Sequence, residues 1–367
     1  MAQDVVRTIA PGVDPFSVIE RDGRLSIPQG ADFGAPIDEL TRRLYADMFL
    51  ARRLDREAFA LQRQGELALW LLCQGQEAAQ VGSIRALRDS DFVFPSYREH
   101  AVTLCRGVTP TELLPLWRGT SHGGWDPVAH RLHIYTLVLS TQMLHAVGYA
   151  MGVKLDRAAA PNDEIVMAYV GDGATSEGDA SEALNWAAVT QAPIIFFCQN
   201  NQWAISTPNP KQFKGSLHQR ARGFGLDVWH VDGNDALAVY LVVRDAAEHV
   251  RNGGGPVFIE AATYRIGGHS TSDDPRRYRS DLEVEEWTAR DPIDRLRRVL
   301  DAEGWADPTF HAALEVAADA LGTELRDACH SLDSGSLSTV FRNTLVRETR
   351  ELALERQAFE DFQGSFA

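Results

Sequence analysis

The sequence predicts an α/β protein with a mostly parallel sheet flanked by helices on both faces. Two observations predict it. First, an apolar run of strand length, Ile165–Val170, leads into a helical pattern, Asp179–Thr190, and a second apolar run, Ile194–Cys198. A strand–helix–strand unit of this kind has parallel strands. Second, the alternation repeats downstream as strand Leu226–Val231, helix Ala236–Asn252 and strand Pro256–Thr263.

The elements follow in order. Residues 1–36 are rich in Pro, Gly and Asp with little period, and read as an extended arm packed on the body or on a partner. Ile37–Gln64 is helical, because Leu40, Leu44, Met48, Ala51 and Leu54 recur at helical spacing before Gly65. Glu77–Leu87 reads as a second helix and Pro110–Trp117 as a shorter one. Arg118–Arg131 reads as a loop, with Gly119, Gly123, Gly124 and Pro127. Thr141–Leu155 is an apolar helix whose small residues, Ala146, Gly148, Ala150 and Gly152, permit close packing. In Asp179–Thr190, Ala183, Leu184, Ala187 and Ala188 share one face, and Gln191-Ala192-Pro193 ends the helix. Arg265–Ser280 is polar and turn-rich, a loop expected at the ligand edge of the sheet. Val340–Phe362 reads as a charged helix with Leu345, Leu352 and Phe359 on one stripe, suited to a subunit or surface contact. The expected division is an arm (1–36), an α/β domain (37–330) and a helical tail (331–367).

Composition bounds the function. The 367 residues carry 36 basic and 51 acidic side chains, a net charge of −15. That balance argues against nucleic acid and against anionic membrane surfaces. Cys73, Cys105, Cys198 and Cys329 have no metal-binding spacing. The amino terminus lacks the pattern of a signal peptide, and no apolar run approaches the roughly 20 residues of a membrane span. A cytoplasmic, reduced protein is expected.

The most informative segment is Gly171-Asp172-Gly173 … Asn200-Asn201. Parallel strands bring Asp172 and Asn201 to the same carboxyl-terminal sheet edge, where open α/β sheets bind ligands. A carboxylate and an amide oxygen are hard ligands suited to Mg²⁺ or Ca²⁺, and Mg²⁺ usually completes its shell with phosphate oxygens and water. Gly171 and Gly173 allow close approach of the backbone to phosphates, and the following helix start offers N–H groups to an anion. The alternative on residues alone is a turn after a strand, or a metal- or nucleotide-binding scaffold without catalysis. A nicotinamide site would need GxGxxG after its strand, and GDGATSEG lacks it.

The stretch GDGATSEGDASEALNWAAVTQAPIIFFCQNNQWAISTP, with VDGNDALAVY (Val231–Tyr240) and TYRIGGHSTSDDPRRYRS (Thr263–Ser280), resembles the alpha subunits of thiamin-diphosphate-dependent 2-oxoacid dehydrogenases, most of all the branched-chain type. The likeness covers most of Leu40–Trp305. Pyruvate and acetoin dehydrogenase alpha subunits are the enzyme alternatives.

The resemblance implies a thiamin diphosphate-binding fold, thiamin diphosphate with Mg²⁺, a beta subunit in an α₂β₂ heterotetramer, and a lipoyl-bearing transacylase that receives the acyl group of a 2-oxoacid. It implies metal ligands at Asp172, Asn201 and the main-chain oxygen of Trp203. Gly173, Ala174 and Thr175 would donate backbone N–H groups to the diphosphate. Tyr97 and Arg98 match a phosphate-contacting pair, Leu139 the aliphatic prop that keeps thiamin bent, and Arg265 a phosphate or loop contact. His269 matches the acid/base that supports acyl transfer. Thr141 and Gln142 match a K⁺-binding segment, and Ser270 and Ser280 match phosphorylated positions, for which loop hydrogen bonding is the plainer reading. Glu77 is assigned no catalytic role, because the activating Glu of this family comes from the beta chain. Three features depart from the pattern: Gln199 stands in place of Arg, Leu137 in place of Ser, and Gly123–Pro127 replaces the usual stretch.

Overall fold

The computed structural model describes residues 14–20, 22–159, 163–332, 341 and 345–366. Five parallel strands form the central sheet: β1 (Phe92–Phe94), β2 (Val166–Gly171), β3 (Ile194–Asn200), β4 (Asp227–Asp232) and β5 (Val257–Ala262), in the order β1-β2-β3-β5-β4. The expected α/β class with a mostly parallel sheet is the observed one. The expected strands lie within a residue or two of the observed ones, while β1 adds an edge strand that the sequence reading lacks.

Side-chain alternation divides the core into two layers. Val166, Ala168 and Val170 of β2 join Ile194, Phe196 and Cys198 of β3 on one face; Met167 and Tyr169 join Ile195 and Phe197 on the other. The first face is covered by α4 (Thr141–Ala159) and α5 (Gly178–Thr190). The second is covered by α1 (Ile37–Arg63), α2 (Glu77–Arg85), α3 (His100–Cys105) and α6 (Ala236–Arg251), with α7 (Pro308–Ser331) laid against α1. Burial on both faces explains why these strands are continuously apolar.

Residues of the expected arm that are described pack on the body. Phe16 bridges Val231, and the main-chain N–H groups of Val18 and Ile19 donate to Asp235 Oδ2 at 2.8 and 2.6 Å. Residues 1–13 lie outside the described residues. The helix over Pro110–Arg118 starts in a capping box from Thr109 and Glu112. The expected loop Arg118–Arg131 contains one helical turn, Pro127–His130, capped by Asp126. In the tail, the described helix is Arg350–Gly364, and residues 345–349, expected in it, precede it; the expected start at Val340 lies outside the described residues. No described helix is long and apolar enough to cross a membrane.

Candidate functional site

The register of β2 against β3 pairs Gly171 with Gln199, so Asp172 and Asn201 leave the sheet side by side. The Asn201 main-chain N–H donates to Asp172 Oδ1 at 3.1 Å. The two loops touch so closely that a Cβ on Gly173 would lie 2.8 Å from the Ala204 Cβ, which only glycine avoids. Beyond Asn201, a two-residue turn joins Trp203–Ala204 to Thr207–Pro208. Gln202 (φ 74°) and Ile205 (φ 53°) both sit in the left-handed region. Such positions persist only where surrounding bonds hold them. Arg265 provides some of those bonds: its guanidinium donates to the Trp203 and Ile205 oxygens at 3.3 and 2.8 Å and to the Tyr278 hydroxyl at 3.0 Å.

These loops border a cavity of about 670 Å³ at the carboxyl edge of the sheet. Tyr97, Arg98, Leu139, Gly173, Ala174, Arg265, His269 and the Asp172–Asn201–Trp203 set all line it. Thr175 does not line it. Its amide and hydroxyl both donate to the Asp172 main-chain oxygen, at 3.2 and 2.7 Å, so it braces the turn and has no N–H left for a phosphate. Arg265 is spent on the loop, the second of its two expected roles. Glu77 lies away from the cavity, ion-paired with Arg52. The Gly123–Pro127 segment is also away from it, with Trp125 buried and its indole N–H on the Leu132 oxygen.

The arrangement fits a cation. Asp172 is almost fully buried, its Oδ2 has no hydrogen-bond partner, and burial pushes its carboxyl up to about 6. One terminal atom of the Asn201 amide lies 3.2 Å from Asp172 Oδ1 and 3.1 Å from the Trp203 oxygen. As an oxygen, it completes a three-oxygen cluster whose members repel unless a cation lies among them. As the NH₂, it donates to both neighbours and satisfies the cation-free chain. The space above Gly171 is open: a Cβ there would meet no protein atom within 4 Å. Gln142 is buried with its Oε1 unpartnered, while its Nε2 donates to the Tyr169 oxygen at 2.8 Å. Ser270 and Ser280 both accept local backbone bonds, Ser280 capping the Asp281–Thr288 helix.

The family described as Dehydrogenase E1 component matches residues 45–328. The chain belongs to this family. Three relatives show how far the likeness runs. The chain is 43% identical over 347 residues to the 3-methyl-2-oxobutanoate dehydrogenase subunit alpha of Mycobacterium tuberculosis, covering 94% of this chain and 93% of the relative. It is 40% identical over 311 residues to the mitochondrial 2-oxoisovalerate dehydrogenase subunit alpha of Bos taurus, covering 82% and 67%. It is 39% identical over 301 residues to the mitochondrial subunit alpha 2 of the same name from Arabidopsis thaliana, covering 79% and 62%. Membership in the Dehydrogenase E1 component family implies thiamin diphosphate as cofactor, and an alpha subunit of it implies a beta partner and a transacylase.

Against that family, the site holds side chains that sequence motifs miss. Gln76 is buried at the cavity wall and bonds the Asn201 amide at 3.1 Å. Glu99 is fully buried, which raises its carboxyl; it accepts from Ser96 and, at 2.6 Å, from Gln199 Nε2. Gln199, at the family position noted for Arg, therefore holds Glu99 by a neutral bond. Gln212 Nε2 donates to the Gly173 oxygen at 2.7 Å. The one sequence signal for these residues is adjacency: Gln76 precedes Glu77, and Glu99 follows the Tyr97-Arg98 pair.

Proposed function

We propose that this chain is the alpha subunit of the decarboxylating component of a branched-chain 2-oxoacid dehydrogenase complex, active only with a beta subunit in an α₂β₂ heterotetramer. The single observation that carries the cofactor reading is the convergence of Asp172 Oδ1, the Asn201 amide and the Trp203 oxygen beside an unpartnered buried carboxylate oxygen. Those three groups would hold Mg²⁺. Three carboxylates line the cavity (Glu99, Asp172 and Glu177) against two guanidiniums, Arg98 and Arg265. A diphosphate placed there needs a further cation, which Mg²⁺ supplies. The Gln142 Oε1 is the acceptor that supports a K⁺ ion near Thr141.

Thiamin diphosphate, when bound, supplies the carbon nucleophile and the electron sink for decarboxylation. The chain's own residues do the rest. Gly171, Gly173 and Ala174 would bring backbone to the diphosphate, Arg98 and Tyr97 would contact it, and Leu139 would support the ring from the cavity wall. His269 would offer a ring nitrogen from the same cavity wall. Leu137, Leu139 and Ile205 stand exposed at the cavity, with Val138 exposed beside them, apolar surface that a beta subunit would cover.

The test is decarboxylation by the chain co-expressed with its beta partner, comparing 4-methyl-2-oxopentanoate with pyruvate at saturating Mg²⁺ and thiamin diphosphate. Preference for the branched acid is expected. Preference for pyruvate would move the chain to the pyruvate branch, and activity on neither in a folded tetramer would overturn the enzymatic reading.

A further inference from the structure

We propose that Asn200, clamped by Glu260 and Asn209, is the positioning residue that aims the Asn201 side chain and the Trp203 main-chain oxygen at Asp172. The inference rests on the metal reading above and goes beyond it. Of the Asn200-Asn201 pair, only Asn201 has a ligand's role, yet Asn200 is buried just as deeply.

The Asn200 side chain ties together three parts of the fold. Its Nδ2 donates to Glu260 Oε1 on the neighbouring strand β5 at 2.7 Å. Its Oδ1 accepts from Asn209 Nδ2 at 2.6 Å and from the Gln202 N–H at 3.4 Å. Its main-chain oxygen accepts from the Thr263 N–H at 2.9 Å and from Gln202 Nε2 at 3.2 Å. Glu260 itself is fixed, because Oε2 accepts both the N–H and the Nδ1 of His218, at 3.1 and 2.8 Å. The clamp also reaches the other loop of the site. Asn209 opens the single helical turn Asn209–Gln212, and Gln212 at its end holds the Gly173 oxygen.

The loop needs this help. Gln202 and Ile205 hold left-handed backbone conformations, each costing about 1–3 kcal/mol in a non-glycine residue. Left alone, residues 201–205 would relax, and Asn201 and Trp203 would move with them. Mg²⁺ demands near-ideal octahedral geometry at about 2.0–2.1 Å, so it senses small displacements of its ligands. Groups that orient ligands typically change metal affinity by about 10–100-fold when removed.

The experiment uses the chain assembled with its beta partner, with thiamin diphosphate present. Mn²⁺ replaces Mg²⁺, and free Mn²⁺ is read by electron paramagnetic resonance. Asn200→Ala and Glu260→Ala are expected to weaken Mn²⁺ binding by about 10–100-fold. Glu260→Gln keeps one acceptor oxygen for two sets of donors, Asn200 Nδ2 and His218, and should bind Mn²⁺ more weakly than the parent and more tightly than Glu260→Ala. At saturating Mn²⁺, kcat should return to within about twofold, since none of these side chains meets the reacting atoms. Asn209→Ala removes only the bonds of its Nδ2, to Asn200 Oδ1 at 2.6 Å and Gln202 Oε1 at 3.4 Å, and carries the test if the deeper variants fail to fold. Asp172→Asn separates the two readings. If it binds Mn²⁺ as the parent does, the metal assignment itself falls. If it loses Mn²⁺ while Asn200→Ala, Glu260→Ala and Asn209→Ala all bind normally, the positioning role alone is overturned. A kcat that stays low at saturating Mn²⁺ also overturns it.

Discussion

The Arg98 guanidinium donates to His269 twice, to its main-chain oxygen at 2.9 Å and to its ring Nδ1 at 3.2 Å. A guanidinium has no acceptor, so Nδ1 must be the unprotonated nitrogen and the ring proton sits on Nε2. Arg98 also donates to the Leu72 oxygen at 2.6 Å, which ties the segment before α2 to the His269 loop. The expected acid/base is thus presented to the cavity as a donor.

The tautomer can be measured. Burial, reinforced by the charges of Arg98 and Arg265, lowers His269 to about 3. A pKa shifted down favours the neutral ring, so no imidazolium should form between about pH 5 and 8. In ¹⁵N spectra of the labelled chain, His269 Nδ1 should have an unprotonated shift that does not titrate over that range. Arg98→Met removes one of the two cations and should raise the pKa. A His269 titrating near the ordinary value in the parent chain would refute this account.

Asp55 gives the fold a defined pH dependence. It is fully buried, accepts from the Trp70 indole N–H at 2.7 Å and the Gln74 N–H at 2.9 Å, and burial raises it from 3.8 to about 6. A folded pKa above the unfolded one means that folding takes up a proton between these values. Its contribution is full below about pH 4 and is lost as pH rises through about 6. The loss is on the order of 2–3 kcal/mol for a shift of this size. Urea midpoints of the parent and Asp55→Asn, compared at pH 4.5 and 7.5, should show a steeper fall in the parent. Parallel curves would mean that Asp55 stays ionised throughout.

Gly82 marks a close approach of α2 to α6. A Cβ there would lie 2.7 Å from the Ala236 oxygen and 2.9 Å from the Val239 Cβ. Backbone cannot yield as a flexible side chain can, so Gly82→Ala should destabilise by about 1–3 kcal/mol through overpacking. Thermal or urea unfolding measures it. An unchanged midpoint would mean that the two helices slide apart at no cost.

These residues mark how far the sequence could be read. Asp172 and Asn201 were legible because their motif rides on two apolar strands and a helix, whose periods fix the spacing and the sheet edge. β1 was not, because the three residues Phe92–Phe94 are too short to carry a period. α7 has a readable start, Asp307 capping ahead of Pro308, which a search for apolar stripes passes over. The clamp of Asn200, Asn209 and Glu260 joins side chains up to 60 positions apart with no common spacing, so only the folded chain brings it together. Thr175 was misread for a related reason: its N–H lies in the phosphate loop by sequence, but a tight turn commits it to Asp172.

His269→Ala should separate two partial reactions. The ring lies at the cavity wall as a neutral Nε2–H donor, held by Arg98 and by its own N–H on Asp273 Oδ2 at 2.7 Å. Loss of carbon dioxide needs no proton from such a donor, whereas opening of a lipoyl disulfide develops negative charge on the leaving sulfur, which the Nε2–H can stabilise by a hydrogen bond while solvent supplies the proton. The variant, assembled with its beta partner, should therefore keep most of its decarboxylation rate with an artificial electron acceptor. It should lose about 10²–10³-fold in acyl transfer to a lipoyl domain, the usual range for a missing hydrogen-bond donor where negative charge develops. Both rates are read on the same preparation. Equal losses in the two assays would assign His269 to holding the cofactor, and equal retention would remove it from the chemistry altogether.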